Sequence, residues 1–168
     1  MKMHRVLMSM ALFFFTMAAP CFAGKADTEL LDQVTALLQQ HDAAFAAQDI
    51  QGVMKTYISG PQIFLMGTGP GEIYREQEGV EGAYNQFFTK FQKGTVGFTY
   101  NWVSAGSMDN FAWFAAEYTI KGQVKGEPKE LGFNVSGTLQ KQDGKWHILA
   151  MHFSRLGVLE EPDQPPAK

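Results

Sequence analysis

The sequence has little cysteine: Cys21 is the single residue of this type among 168. It lies in an N-terminal segment with the features of an export signal, which are the basic Lys2 and Arg5, an apolar run over residues 6–19 and small residues before position 24. Cleavage after Ala23 would leave a mature chain without thiol chemistry or disulfides. We therefore expect a periplasmic or secreted protein that folds on an ordinary hydrophobic core.

Long apolar runs and basic clusters are also scarce. The apolar run near the N-terminus is shorter than the roughly 20 residues of a membrane span, so no membrane insertion is expected after signal cleavage. Of the 14 lysines and arginines, two lie in the leader, and the other 12 face 17 acidic residues, a net charge of −5. A chain with this acidic balance and no basic cluster has no positively charged surface to bind phosphate groups, which argues against a nucleic-acid partner.

Familiar catalytic motifs are lacking as well. No serine lies in a G-x-S-x-G elbow, and the glycine-rich residues 67–71 are not followed by the lysine and hydroxyl residue of a phosphate loop. No two histidines have the spacing of metal ligands on a helix. His41, Glu117 and His152 could converge on a metal, but nothing in their spacing requires it, so we expect neither a metal nor a cofactor.

The apolar residues that are present change their period along the chain. A period of 3.6 predicts three helices, over residues 28–48, 50–57 and 80–92, with Asp27 or Thr28 capping the first and Asp49 the second. A short strand is predicted over residues 62–66. After the third helix the period becomes two, which predicts strands over residues 95–104, 111–121, 130–141 and 145–156.

Helices followed by an antiparallel meander indicate a single α+β domain with the helices on one face of the sheet. Gly132 and Gly137 lie inside predicted strands and could mark bends that curve the sheet around a cavity. We assign the signal peptide to residues 1–23, the folded domain to residues 24–158 and a disordered tail, rich in proline, to residues 159–168.

The last predicted strand has the most informative pattern. The turn signal Asp143-Gly144 precedes it. Strict alternation then places Trp146, Ile148, Ala150, His152 and Ser154 on one face, and His147, Leu149, Met151, Phe153 and Arg155 on the other. The first face ends in polar side chains, as a strand that lines a pocket commonly does.

Two stretches carry a resemblance to a known family. They are residues 63–72, which read IFLMGTGPGE, and the ending from Asp143 to Ser154. With the order of elements, they resemble the SnoaL-like branch of the nuclear transport factor 2-like superfamily. The resemblance implies a conical barrel in which three N-terminal helices pack on a strongly curved, mixed, mostly antiparallel sheet around a pocket. It also implies a homodimer through the outer sheet face.

The family pattern is kept at some positions and lost at others. It is kept at Glu72, Trp113, Trp146, His152 and Ser154. Asn134 stands where relatives commonly have arginine, and Ala150 where many have histidine, while Ser136 keeps a hydroxyl. The resulting set of candidate ligand-binding residues is Tyr57, Phe64, Glu72, Trp102, Trp113, Asn134, Ser136, His152 and Ser154.

Three functions remain open from the sequence. The first is binding of a small, mostly apolar molecule in the conical pocket. The second is a cofactor-free enzyme of the isomerase, cyclase or hydratase type, with His152 and Glu117 as candidate base and partner; His41 and His147 are less favoured. The third is a homodimeric interaction module without catalysis. The first short strand has no acid, unlike steroid isomerases, so binding is the leading interpretation.

Overall fold

The computed structural model describes residues 25–157, with side chains from residue 28. Its elements in chain order are α1 Lys25–Ala46, α2 Ile50–Met54, β1 Phe64–Met66, β2 Ile73–Arg75, α3 Glu76–Phe88, β3 Gly97–Met108, β4 Phe111–Val124, β5 Glu127–Gln142 and β6 Lys145–Arg155. The predicted signal peptide and tail lie outside the described residues. None of the helices within residues 25–157 is both long and apolar enough to cross a membrane.

The six strands form one sheet in the order β2-β1-β6-β5-β4-β3. All neighbours are antiparallel except β1 and β6, which run parallel. The helices pack on one face, where α1 contacts β3 and α3 contacts β1 and β2. This is the predicted α+β arrangement, a mixed, mostly antiparallel sheet wrapped around helices.

The core fills the concave side between helices and sheet. Val34 and Leu38 of α1 and Val80 of α3 are fully or almost fully buried, as are Leu65 of β1 and Ile148 of β6. Each helix contributes one apolar stripe, and each strand contributes alternate residues. The opposite, convex side of the sheet is called the outer face below.

Two β-bulges change which residues face the core. In β3 the register shifts between Tyr100 and Trp102, and in β6 Leu149 is the extra residue, because Leu139 pairs with Ile148 while Thr138 pairs with Ala150. An extra residue reverses the alternation of side chains beyond it. Trp146 and Ile148 therefore share the concave side with Met151 and Phe153.

The turn predicted before the last strand is present in the structure. Asp143 and Gly144 both have positive φ angles, 50° and 77°, as expected of a two-residue hairpin turn. Lys125 and Gly126 form the same kind of turn between β4 and β5, so these strands are longer than predicted. Asp49 caps α2 as expected, since its carboxylate accepts from the Gly52 amide at 3.0 Å.

Some element boundaries differ from the prediction. The third helix begins at Glu76 and ends at Phe88, not at residues 80 and 92. The strand β2 was not predicted, because three residues cannot display a period. It pairs with β1 and leads directly into α3. The helix therefore starts four residues before the predicted position.

Candidate functional site

A cavity of about 290 Å³ opens between α1, α3 and the concave side of the sheet. Its wall is mostly aromatic and aliphatic, comprising Phe45, Phe87, Phe91, Phe98, Tyr118, Ile120, Leu131, Phe133 and Phe153. The polar residues His41, Thr68, Glu72, Tyr84, Lys90 and Arg155 also line it. An apolar wall with few polar groups is typical of pockets for small organic ligands, at the small end of their size range.

A chain of hydrogen bonds, which we call the polar floor, reaches this cavity through His41 and Tyr84. It consists of His41, Asp42, Tyr57, Tyr84 and Tyr100. The Tyr100 hydroxyl donates to Asp42 Oδ2 at 2.6 Å, and Asp42 Oδ1 lies 3.1 Å from His41 Nδ1. His41 Nε2 lies 2.7 Å from the Tyr84 hydroxyl, which is 2.8 Å from that of Tyr57.

The direction of this chain is set by the tautomer of His41. With Asp42 as a carboxylate and His41 as a neutral imidazole, Nδ1–H donates to Asp42. Nε2 then accepts a hydrogen bond from the Tyr84 hydroxyl, and the Tyr84 oxygen accepts one from Tyr57. The polar floor thus joins α1, α3, β3 and the segment after α2 through groups that satisfy one another.

The tyrosines around the cavity remain protonated because they are buried. Burial raises the pKa of Tyr57, Tyr84, Tyr100 and Tyr118 well above the ordinary value of about 10. The negative charge of Asp42 adds to this effect at Tyr84, Tyr100 and Tyr118. All four phenols therefore act as hydrogen-bond donors or acceptors and not as bases.

Tyr118 differs from the floor tyrosines in its hydroxyl. Among residues 28–157 this hydroxyl has no hydrogen-bond partner, and its oxygen is not completely buried. The residue is only 4 % exposed and lines the cavity. Because Tyr118 lines the cavity, its unpaired hydroxyl is a candidate hydrogen-bonding group for a ligand.

The charged lining residues mark the opening of the cavity, which we call the mouth: Lys90 and Arg155 are exposed, and Glu72 is half-buried. Glu72 Oε2 accepts from the backbone amides of Thr68 at 2.8 Å and Gly69 at 2.9 Å, and so closes the glycine-rich turn on itself. A Cβ at Gly69 would approach the Glu72 carboxyl carbon to 3.2 Å, a tight contact that the Glu72 side chain would have to relieve.

The structure places only two of the nine predicted ligand-binding residues on the concave side. Glu72 lines the cavity, and Tyr57 belongs to the polar floor behind it. The other seven lie on the outer face: Phe64, Trp102, Trp113, Asn134, Ser136, His152 and Ser154. Phe64, Trp102 and Trp113 are 37 %, 47 % and 56 % exposed. The assumed placement of these seven on the cavity wall is therefore corrected, and their role in binding stays a prediction.

The two residues predicted as a catalytic pair are also on the outer face and are not neighbours. Glu117 is level with Asn134 and Ser154, whereas His152 is level with Ser136. Two strand spacings, about 10 Å, separate β4 from β6. The Glu117 carboxylate instead accepts from Asn101 Nδ2 at 2.6 Å. The structure does not bring Glu117 and His152 together, and His41 lies on the other side of the sheet.

The bulge at Leu149 explains the displaced histidine. Strict alternation from Trp146 leads to His152 on the same face, but the extra residue shifts the pattern by one. Met151, Phe153 and Arg155 take the concave side, and His152 is exposed. Within the described residues no three His, Cys, Asp or Glu side chains cluster closely enough to bind a metal ion.

The sequence contained a signal for the polar floor. His41 and Asp42 are adjacent polar residues inside the apolar stripe of α1, and they are only 3 % and 7 % exposed. Such a pair requires hydrogen-bond partners from other elements. The sequence pattern cannot say which partners, and Tyr84 and Tyr100 are known only from the fold.

Comparison with known proteins agrees with this architecture. A family model described as a SnoaL-like domain matches residues 34–158. A structure from Xanthomonas campestris, provisionally named as a calcium/calmodulin-dependent protein kinase II association domain, is 27 % identical with a TM-score of 0.64, and the alignment covers 73 % of this chain and 85 % of that one.

Two more distant structures share the fold. A nuclear transport factor 2-like superfamily protein from Salmonella enterica has a TM-score of 0.70 at 12 % identity, covering 82 % of this chain and 99 % of that one. A provisional dehydratase of the same family from Streptomyces avermitilis has a TM-score of 0.69 at 12 % identity, covering 79 % and 99 %. No curated protein matches the sequence. Because the family model spans well over half of the chain, the protein belongs to the SnoaL-like domain family, on the nuclear transport factor 2-like fold.

Proposed function

We propose that this protein binds a small, mostly apolar molecule in the cavity between α1, α3 and the sheet. The observation that carries the proposal is the combination of an aromatic wall with the hydroxyl of Tyr118. The wall gives affinity through buried apolar area, and the phenol orients an oxygen acceptor of the ligand. A volume of about 290 Å³ suits a compound of one or two rings or a short chain.

The hydroxyl of Tyr118 provides the test. Titration calorimetry with 4-phenylbutan-1-ol, a probe with an apolar body and one oxygen, should give saturable binding to the purified mature protein. Tyr118→Phe should weaken this binding about five- to tenfold, the effect of one hydrogen bond. Tyr74→Phe is the matched control, because Tyr74 contacts Phe87 but does not line the cavity. Equal binding by Tyr118→Phe would refute the assigned role of this residue, and absence of saturable binding would refute the site.

A cofactor-free isomerase or hydratase is the second candidate function, and one observation favours it. His41 and Asp42 form a buried imidazole–carboxylate pair that reaches the cavity through His41, an arrangement that serves general bases elsewhere. The name of the Streptomyces relative points the same way. Against it, His41 Nε2 already accepts from Tyr84, so a substrate would have to displace that bond. His41→Gln should abolish turnover of a substrate found by screening, with binding of 4-phenylbutan-1-ol retained.

We also propose a homodimer formed through the outer face. Large apolar side chains are exposed there, notably Trp102, Trp113 and Phe64. Exposed apolar surface of this kind is typical of protein–protein interfaces. The name of the Xanthomonas relative, an association domain, is consistent with self-assembly. Light scattering should give twice the monomer mass for the mature chain, and Trp113→Glu should give the monomer mass. A monomeric parent protein would contradict the proposal.

Export is proposed from the leader sequence alone. Expression of the full chain in a Gram-negative host should yield a periplasmic protein whose N-terminus is Gly24, as read by mass spectrometry. An intact N-terminus in the cytoplasmic fraction would contradict it.

A further inference from the structure

The mouth of the cavity carries a charge opposite to that of the whole chain. Lys90 and Arg155 line the cavity, and Lys125 lines a groove that continues from it along Lys90, Phe91 and Leu131. Within the described residues Glu72 is the one acid that lines either space. The chain as a whole has a net charge of −3, so a cationic mouth is not the average surface of this protein.

The single acid at the mouth is already engaged. The Glu72 carboxylate accepts two backbone amides through Oε2, which hold it against the turn that it closes. Among residues 28–157 neither Lys90 nor Arg155 has a carboxylate within ion-pair distance; the pairs found are His41–Asp42 and Lys121–Glu130. Lys90 Nζ instead lies 5.1 Å from the centre of the Phe87 ring, a residue of the cavity wall.

Arg155 owes its position to the bulge in β6. It is level with Phe133 on β5, and both residues line the cavity. Strict alternation from Trp146 would place Ser154 on the concave side and Arg155 on the outer face. The extra residue Leu149 reverses this and brings Arg155 to the concave side. A guanidinium placed there can bind a carboxylate through two parallel hydrogen bonds.

We propose that the ligand is a small monocarboxylic acid, with its apolar body in the aromatic cavity and its carboxylate at the mouth between Arg155 and Lys90. The proposal rests on the cavity being a ligand site, as proposed above, and adds the charge of the ligand. A single negative charge fits better than a phosphate, because a second charge would be repelled by the Glu72 carboxylate at the same mouth.

The experiment compares two probes that share one apolar body. Calorimetry at pH 7 with 4-phenylbutyrate and with 4-phenylbutan-1-ol separates the contribution of the carboxylate from that of the ring and chain. The parent protein should bind the acid about tenfold more tightly than the alcohol. Arg155→Gln should weaken binding of the acid far more than binding of the alcohol and so abolish this preference, and Lys90→Gln should reduce the preference.

Two exposed cations away from the cavity serve as controls. Arg75→Gln on β2 and Lys129→Gln on β5 change the net charge equally and should keep the preference for the acid. Thermal unfolding verifies that each variant is folded. If the parent binds acid and alcohol equally, or if Arg75→Gln lowers the preference as much as Arg155→Gln, the carboxylate proposal is overturned while the ligand site stands. If neither probe binds, the ligand site and the carboxylate proposal both fall.

Discussion

Tyr84 is the central member of the polar floor, and its replacement by phenylalanine gives the sharpest test of that network. The hydroxyl lies 2.7 Å from His41 Nε2 and 2.8 Å from the Tyr57 hydroxyl, and the side chain is 1 % exposed. Its removal leaves His41 Nε2 and the Tyr57 hydroxyl buried without a hydrogen bond. Each orphaned group costs about 1–3 kcal/mol, so Tyr84→Phe should lower the free energy of unfolding by about 2–6 kcal/mol.

Tyr57→Phe removes an end of the chain and should cost less. Tyr84 keeps its hydrogen bond to His41 and loses only the one from Tyr57. The free energy of unfolding should therefore fall by about 1 kcal/mol. The double variant should then be more stable than the sum of the two single effects predicts, by about 1–2 kcal/mol, because Tyr57→Phe deletes the hydroxyl that Tyr84→Phe orphans.

Urea unfolding followed by circular dichroism measures all four corners of this cycle, and Tyr74→Phe is the control for loss of a phenol outside the network. Additive effects of the two substitutions, or a Tyr84→Phe cost below 0.5 kcal/mol (about the smallest net worth of one hydrogen bond), would refute the hydrogen-bond chain as drawn.

Two further predictions concern alkaline pH and the sheet. Above about pH 10 the unfolded chain loses its phenolic protons, while the buried tyrosines of the folded protein keep theirs. Because the unfolded state then binds fewer protons, the free energy of unfolding must fall as the pH rises, by up to about 1.4 kcal/mol per pH unit for each tyrosine. Urea midpoints from pH 8 to 11 should show this slope, shallower in Tyr84→Phe; an unchanged slope contradicts the burial argument. Gly137→Ala should destabilise by about 1–3 kcal/mol, since its Cβ would meet the Phe114 ring and, at 2.6 Å, the Ala150 carbonyl. Gly82→Ala, in open space on α3, should be neutral or stabilising, and equal costs for both would contradict the packing assigned to Gly137.

The fold was accessible from the sequence because its main signals are local. Helical and strand periods occupy long segments, and turn residues such as Asp143-Gly144 mark the hairpins. The short strand β2 was missed because its pairing with β1 is a contact between segments and leaves no period in three residues. The start of α3 was misplaced for the same reason.

The candidate site was less accessible, because its geometry depends on single-residue events. One extra residue at position 149 moves His152 to the outer face, and alternation alone cannot locate such a bulge. The sequence did place Glu72 and Tyr57 near the cavity, and it showed His41 on the buried stripe of α1. Tyr84, the partner of His41, lies 43 positions away in the chain, and Tyr100, the partner of Asp42, lies 58 positions away, separations that no local pattern spans.

The division of the cavity into a sealed floor and an exposed mouth has a consequence for how such proteins diversify. Substitutions in the polar floor break buried hydrogen bonds that join α1, α3 and β3, so they lower the stability of the fold. Arg155 and Lys90 are exposed, and exchanging them costs the fold little. Selection can therefore exchange the ligand at the mouth while the floor stays fixed, so that specificity and stability evolve on separate residues of the same pocket.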